Sequence, residues 1–205
     1  RGTDPSSITL LDSVTGLPPG TMYGDRSTEI DQVYYYQISA VDSSENESER
    51  SEIFSAVRKI SLMISEIMNN PSVVEDGDGE WFEVVNNGTV FFNLHNWKLQ
   101  SGESEDHTFS SELFIYPGEH KVFGLNGDTS TNGGIDVFYQ YDNIVLSDTS
   151  DVLVLADRFD TVYDSVSWDN GLTFPQGSGA SMALLDPELD NNVGANWVLS
   201  ELPIG

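Results

Sequence analysis

The sequence predicts an all-β protein organised as a β-sandwich. Three observations carry that expectation. Nearly every apolar run is short and alternating, as in Trp81–Val85, Lys121–Leu125, Val152–Ala156 and Thr161–Trp168, and reads as a strand. Turn-forming clusters separate the runs: Leu17–Gly20 (LPPG), Asn126–Gly134 (NGDTSTNGG) and Gln176–Gly179 (QGSG). No segment keeps a helical apolar period for as long as about ten residues. Only 38% of the chain is hydrophobic, but 10 Phe, 8 Tyr and 4 Trp supply large rings for a sandwich core.

The chain divides near Arg58–Lys59, a rare basic pair in an acidic sequence. We expect a first module over residues 1–58, a linker over 59–61 and a second module over 62–205. In the first, Val33–Val41 (VYYYQISAV) reads as a strand and the front half of Ser43–Ala56 (SSENESERSEIFSA) as a charged hairpin loop. The run Val33–Ser55 resembles the second half of a fibronectin type III domain: a Tyr-rich strand ending in A-V-D, an E-N-E-S turn and a last strand. The resemblance implies that Tyr34 or Tyr36 forms a tyrosine corner, and that Ser7–Ser13, Leu17–Gly20 and Met22–Asp25 supply middle strands and turns. Such a sandwich takes about 100 residues. Its opening strands would then lie upstream of Arg1, and residues 1–58 would pack as a partial sheet against the second module or pair with another copy of the chain.

In the second module the elements follow in order. Ile64–Asn70 (ISEIMNN) before Pro71, Gly79–Asn87 (GEWFEVVNN), Asn93–Leu99 (NLHNWKL) and Tyr116–Gly124 (YPGEHKVFG) read as strands with their turns. Leu146–Leu155 (LSDTSDVLVL), Val162–Trp168 (VYDSVSW) and Gly179–Trp197 complete the set. Residues 62–200 resemble a lamin tail domain, the immunoglobulin-like sandwich of nuclear lamins and of many exported bacterial proteins. The matching patterns are G-E-W-I-E-L-Y-N, D-L-S-G-W-x-L, P-G-x-x-x-V, L-x-N-x-G-D-x-V-x-L, V-D-S-V-x-Y and a D-N-N-x-x-x-N-W tail. Phe91, Phe92 and His95 stand where small or polar residues are usual, and Asp148–Asp151 lacks the usual glycine. Trp81, Val85, Trp97, Leu99, Val122, Phe123, Leu153 and Leu155 are the expected core, with Trp97 inside it.

The charge narrows the function. With 34 acids against 8 bases the net charge is −26, so phosphate backbones and anionic membranes are repelled and cations attracted. Neither a phosphate loop nor a basic, aromatic stripe is present, so nucleic acid is not an expected partner. No cysteine is present, which removes disulfides, zinc–thiolate sites and Cys nucleophiles. No run is long and apolar enough for membrane insertion.

The best candidate for a site is Glu75–Glu80 (EDGDGE), where Asp76, Asp78 and Glu80 alternate with glycines that allow a tight curl. Carboxylates so spaced could converge on Ca²⁺, the one cofactor the chain suggests, although the EF-hand loop length and its closing Glu are missing. The alternative is a solvated acidic turn. Asp128–Asp136 and Asp186–Asn192 are weaker versions, in which Asp and Asn more simply cap turns. Glu66 and Glu83 lie within strands and are expected on neighbouring ones, bonded to backbone or to Arg and Lys. His95, His107 and His120 form no metal-spaced motif, and no G-x-S-x-G elbow accompanies Asp106–His107, so no catalytic residues are assigned. Asn46 and Asn87 open glycosylation sequons that matter only in a glycosylating host.

The expectation is a non-catalytic accessory module, a spacer or an adhesion or targeting element, of a larger exported bacterial protein that is secreted or on the cell surface. Its partner would be a protein or a surface polymer. The first alternative is Ca²⁺-dependent binding of carbohydrate or another surface polymer, for which Phe91, Phe92, Tyr139 and Tyr141 are the aromatics to inspect. The second is part of a secreted hydrolase.

Overall fold

The computed structural model describes residues 1–14, 25, 27–102 and 105–200. Two compact units, Arg1–Ile60 and Ser61–Gly205, make up the chain. Among the described residues the regular structure is almost entirely strand.

In the first unit β1 (Val33–Tyr36) pairs antiparallel with β2 (Phe54–Val57). The expected strand Val33–Val41 leaves the ladder after Tyr36, and serine side chains explain why. The Ser51 and Ser48 hydroxyls accept the N–H groups of Ile38 (3.0 Å) and Ala40 (2.9 Å), where a ladder would offer carbonyls. Asp42 closes the following turn by accepting the N–H groups of Ser44 and Asn46 at 2.8 and 2.9 Å. Among the described residues of this unit Tyr34 is the buried large hydrophobic side chain, whereas Ile38, Val41, Ile53, Phe54 and Val57 are exposed. Ser7–Ser13 forms no named strand, and Leu17–Gly20 lies outside the described residues.

The second unit contains β3 (Leu62–Met68), β4 (Trp81–Asn86), β5 (Phe92–Asn93), β6 (Lys98–Ser101), β7 (Glu105–Thr108), β8 (Phe114–Ile115) and β9 (His120–Gly124). It continues with β10 (Tyr139–Gln140), β11 (Ser150–Ala156), β12 (Val162–Asp169), β13 (Met182–Leu184) and β14 (Trp197–Leu199). One sheet runs β10-β9-β4-β3-β13-β14, a second β12-β11-β6-β7, and β5 pairs with β8 as a small ribbon. Period-two alternation supplies the core: Phe82, Val84 and Phe123 from the larger sheet, and Leu99, Leu153, Leu155 and Val166 from the smaller, are fully buried. Phe82 stacks on Phe123 at 5.2 Å, and Tyr141 closes on Phe82 at 5.6 Å.

Trp97 is buried as expected, 4.4 Å from the Tyr163 ring and edge-on to Phe92. Asn96 before it has φ 64°, the left-handed region that closes the turn in which Trp97 N–H reaches the Leu94 carbonyl at 2.9 Å. Asn is one of the few side chains that adopt this conformation.

Candidate functional site

The acidic segment forms one helical turn, Asp76–Gly79, before β4. Gly79 permits it, because a Cβ there would come within 2.5 Å of the Val74 side chain and 2.8 Å of Pro71. Strand alternation then sends Glu80 to the side of Phe82, into the sandwich, while Asp76 and Asp78 stay exposed. Glu80 is 2% exposed, and its Oε2 accepts the backbone N–H of Leu146 at 2.8 Å. Burial pushes its pKa up to about 8; the Leu146 bond works against this, and Asp76, Asp148 and Glu105 reinforce it. The shift favours the protonated carboxyl. Asp78 instead accepts from the Asn126 side chain at 3.0 Å. Thus Asp76, Asp78 and Glu80 point to different environments, and among the described residues no three Asp, Glu or His side chains gather as a metal would need.

The weaker acidic segments cap turns. Asp128 accepts the Ser130 N–H and hydroxyl at 3.0 and 2.7 Å, and Asp186 and Asp190 each accept the N–H two residues on, both at 2.9 Å.

Glu66 and Glu83 do lie opposite one another on β3 and β4. Their partners differ from those expected. The Ser181 hydroxyl donates to Glu66; Ser65 donates to Glu83 at 2.7 Å, and His120 Nδ1 meets the same Glu83 oxygen at 2.7 Å. Burial raises the Glu66 pKa, the Ser181 bond opposes the rise, and the facing Glu83 adds to it. Hydroxyls and an imidazole serve here because the chain has few Lys and Arg to spend on pairing.

His107 sits between Asp142 and Tyr139, with Nδ1 at 2.5 Å from the Asp142 carboxylate and Nε2 at 3.1 Å from the Tyr139 hydroxyl. It ties β7 to the segment after β10. His95 is exposed. Of the four aromatics singled out from the sequence, Phe92 and Tyr141 are buried and Tyr139 is half-buried against His107, Phe109 and Phe123; Phe91 is 59% exposed.

Two arrangements were not anticipated. Asp164 on β12 accepts the Ile64 N–H of β3 at 2.6 Å and the Asn191 side chain at 2.8 Å, and the Asn191 amide also donates to the Ile64 carbonyl at 3.1 Å. Ile64 borders a bulge in the β3–β4 pairing and lies beyond the β13 ladder, which reaches Glu66 and Ile67, and Asp164 supplies the acceptor for its N–H there. Burial raises the Asp164 pKa, and its bonds from Ile64 and Asn191 oppose the rise. The signal was present in VYDSVSW, where Asp164 falls on the same period-two side as Val166 and Trp168. The second is an exposed ring cluster of Phe91, Phe114 and Tyr116, with centroids 5.9 to 6.4 Å apart.

Two facing sheets with inward-alternating cores and side-chain ties between them define an immunoglobulin-like β-sandwich. The lamin tail domain model matches residues 56–170, more than half of the chain, and the chain belongs to that family. None of the curated proteins matches it. Among the described residues no helix is long and apolar enough to cross a membrane.

Proposed function

We propose that this chain is a non-catalytic accessory module, serving adhesion, targeting or spacing, of a larger exported bacterial protein that is secreted or held at the cell surface. One observation carries the reading: four of the titratable side chains join elements of the sandwich. Glu80 holds Leu146, Asp164 holds Ile64, Glu66 holds Ser181, and His107 bridges Asp142 and Tyr139. The net charge of −26 suits a module without nucleic-acid partners.

The first unit is read as part of a fibronectin type III-like module. Supporting this, the Tyr34 hydroxyl accepts the Glu29 N–H at 3.3 Å, a link back to the backbone a few residues upstream as in a tyrosine corner.

The test pairs two measurements on the purified chain. Retention on bacterial cell-surface material is expected, with no turnover of ester, phosphodiester, peptide or glycoside substrates. Turnover abolished by changing a named acid or histidine would overturn the reading in favour of the hydrolase alternative.

A further inference from the structure

The β5–β8 ribbon presents two unlike faces. Alternation turns Phe92 and Ile115 into the core, where they are 6% and 0% exposed. The same alternation turns Phe91, Phe114 and Tyr116 outward. Phe91 and Tyr116 are 59% and 53% exposed, and Phe114 is half-buried between them. The ring centroids form a closed triangle: Phe91–Phe114 6.1 Å, Phe91–Tyr116 5.9 Å and Phe114–Tyr116 6.4 Å. Scattered exposed apolar side chains need no explanation, but three contiguous aromatic rings on a soluble surface form a patch of the kind found at interfaces.

The chemistry around the rings narrows the occupant. Polar groups next to the ribbon are engaged in holding its backbone and one another. Glu119 takes the Tyr116 N–H at 2.9 Å with one oxygen and Lys121 at 3.3 Å with the other. The Asn93 carbonyl oxygen takes the N–H groups of His95 and Leu113 at 3.1 and 3.2 Å. A second copy of the chain would bring another net charge of −26 against the first, so self-association is opposed. What the surface offers is π-faces on a chain of strongly negative net charge. Arginine fits both, because its planar cation stacks on aromatic rings and its stem covers apolar surface.

We propose that Phe91, Phe114 and Tyr116 form the docking surface for a basic, arginine-containing polypeptide segment of a partner protein. The field of the whole chain steers the segment in, and the rings hold it. The surface rests on the adhesion or targeting reading above. Measured turnover would overturn that reading without touching the surface.

The experiment uses the full chain and a fluorescent peptide of alternating Arg and Ser, with binding read by anisotropy at about 0.15 M salt. The Phe91→Ser/Tyr116→Ser double variant is expected to bind about tenfold more weakly, the order of loss when aromatic anchors are removed. Leu172→Ser, at an exposed side chain outside the cluster, is expected to bind as the wild type does. Unchanged melting temperatures show that each variant is folded, and Tyr116→Ser alone serves if the double variant melts early. Three results would overturn the proposal: no peptide binding by the wild type, binding that the ring variants leave unchanged, or ring-dependent binding of a polysaccharide in place of the peptide.

Discussion

Glu80 and Leu146 stand 66 positions apart in the sequence and are joined by one hydrogen bond inside the sandwich. It makes a buried carboxyl the anchor of the segment between β10 and β11. The folded-state pKa of about 8 lies above the ordinary glutamate value of 4.5. Between the two, the folded chain keeps a proton that the unfolded chain has released. The stability from this group is therefore full below about pH 4.5 and is lost as the pH rises to about 8. In Glu80→Gln the amide oxygen can still accept the Leu146 N–H but carries no titration. Melting temperatures of wild type and variant, followed from about pH 5 to about pH 8.5, are expected to diverge, with the wild type falling more steeply. Parallel curves would refute the assignment. Glu66 and Asp164 are also raised, burial being the largest cause, so some slope remains in the variant.

The tie between the sheets gives a second expectation. Asn191 is 4% exposed and donates to both Asp164 and the Ile64 carbonyl. Asn191→Ala leaves a buried carboxyl and a backbone carbonyl short of a donor, at a cost of about 2–3 kcal/mol. The exposed neighbour provides the control, since Asn192→Ala should change stability by less than about 0.5 kcal/mol. Urea unfolding followed by tryptophan fluorescence measures both; equal midpoints would show that the tie contributes nothing.

Trp97 packs between the rings of Phe92 and Tyr163 and is 8% exposed. Trp97→Ala opens a large cavity and should lower stability by about 3–5 kcal/mol, with Trp97→Phe losing less. Chemical denaturation decides it. A loss under about 1 kcal/mol for the alanine variant would mean that the ring is not a core element.

The acidic turn can be tested directly. Asp76 and Asp78 are exposed while Glu80 faces the core, so bound Ca²⁺ would require the turn to reorganise. Millimolar Ca²⁺ is expected to shift the melting temperature of the wild type no more than that of Asp76→Asn/Asp78→Asn. A larger shift in the wild type, with matching calorimetric heat, would establish a specific Ca²⁺ site.

Much of the fold was legible because strand signals are local. Trp81–Val85 and Val152–Ala156 are short apolar runs rich in strand-forming residues and fall within β4 and β11. The strand pattern of Val33–Val41 runs beyond its ladder because Ser48 and Ser51 replace carbonyl partners with hydroxyls, which alternation does not register. The site was less legible. Glu66 and Glu83 were correctly placed on neighbouring strands, but their partners Ser181, Ser65 and His120 were not foreseen. Ser181 lies 115 positions from Glu66, and nothing in the spacing of the two residues reveals the pair.

The sequence by itself determined which residues alternate, where turns break them, that Trp97 is buried and that the chain is a strongly acidic all-β sandwich. These follow from backbone period, turn chemistry and composition, each readable within a few residues. Only the tertiary structure decided that Glu80 turns away from Asp76 and Asp78, that Asp164 answers the bulge at Ile64, and that Phe91 meets Phe114 and Tyr116. Each depends on which strands come to lie side by side. That is settled by burial of the whole core, and no short stretch of chain contains it.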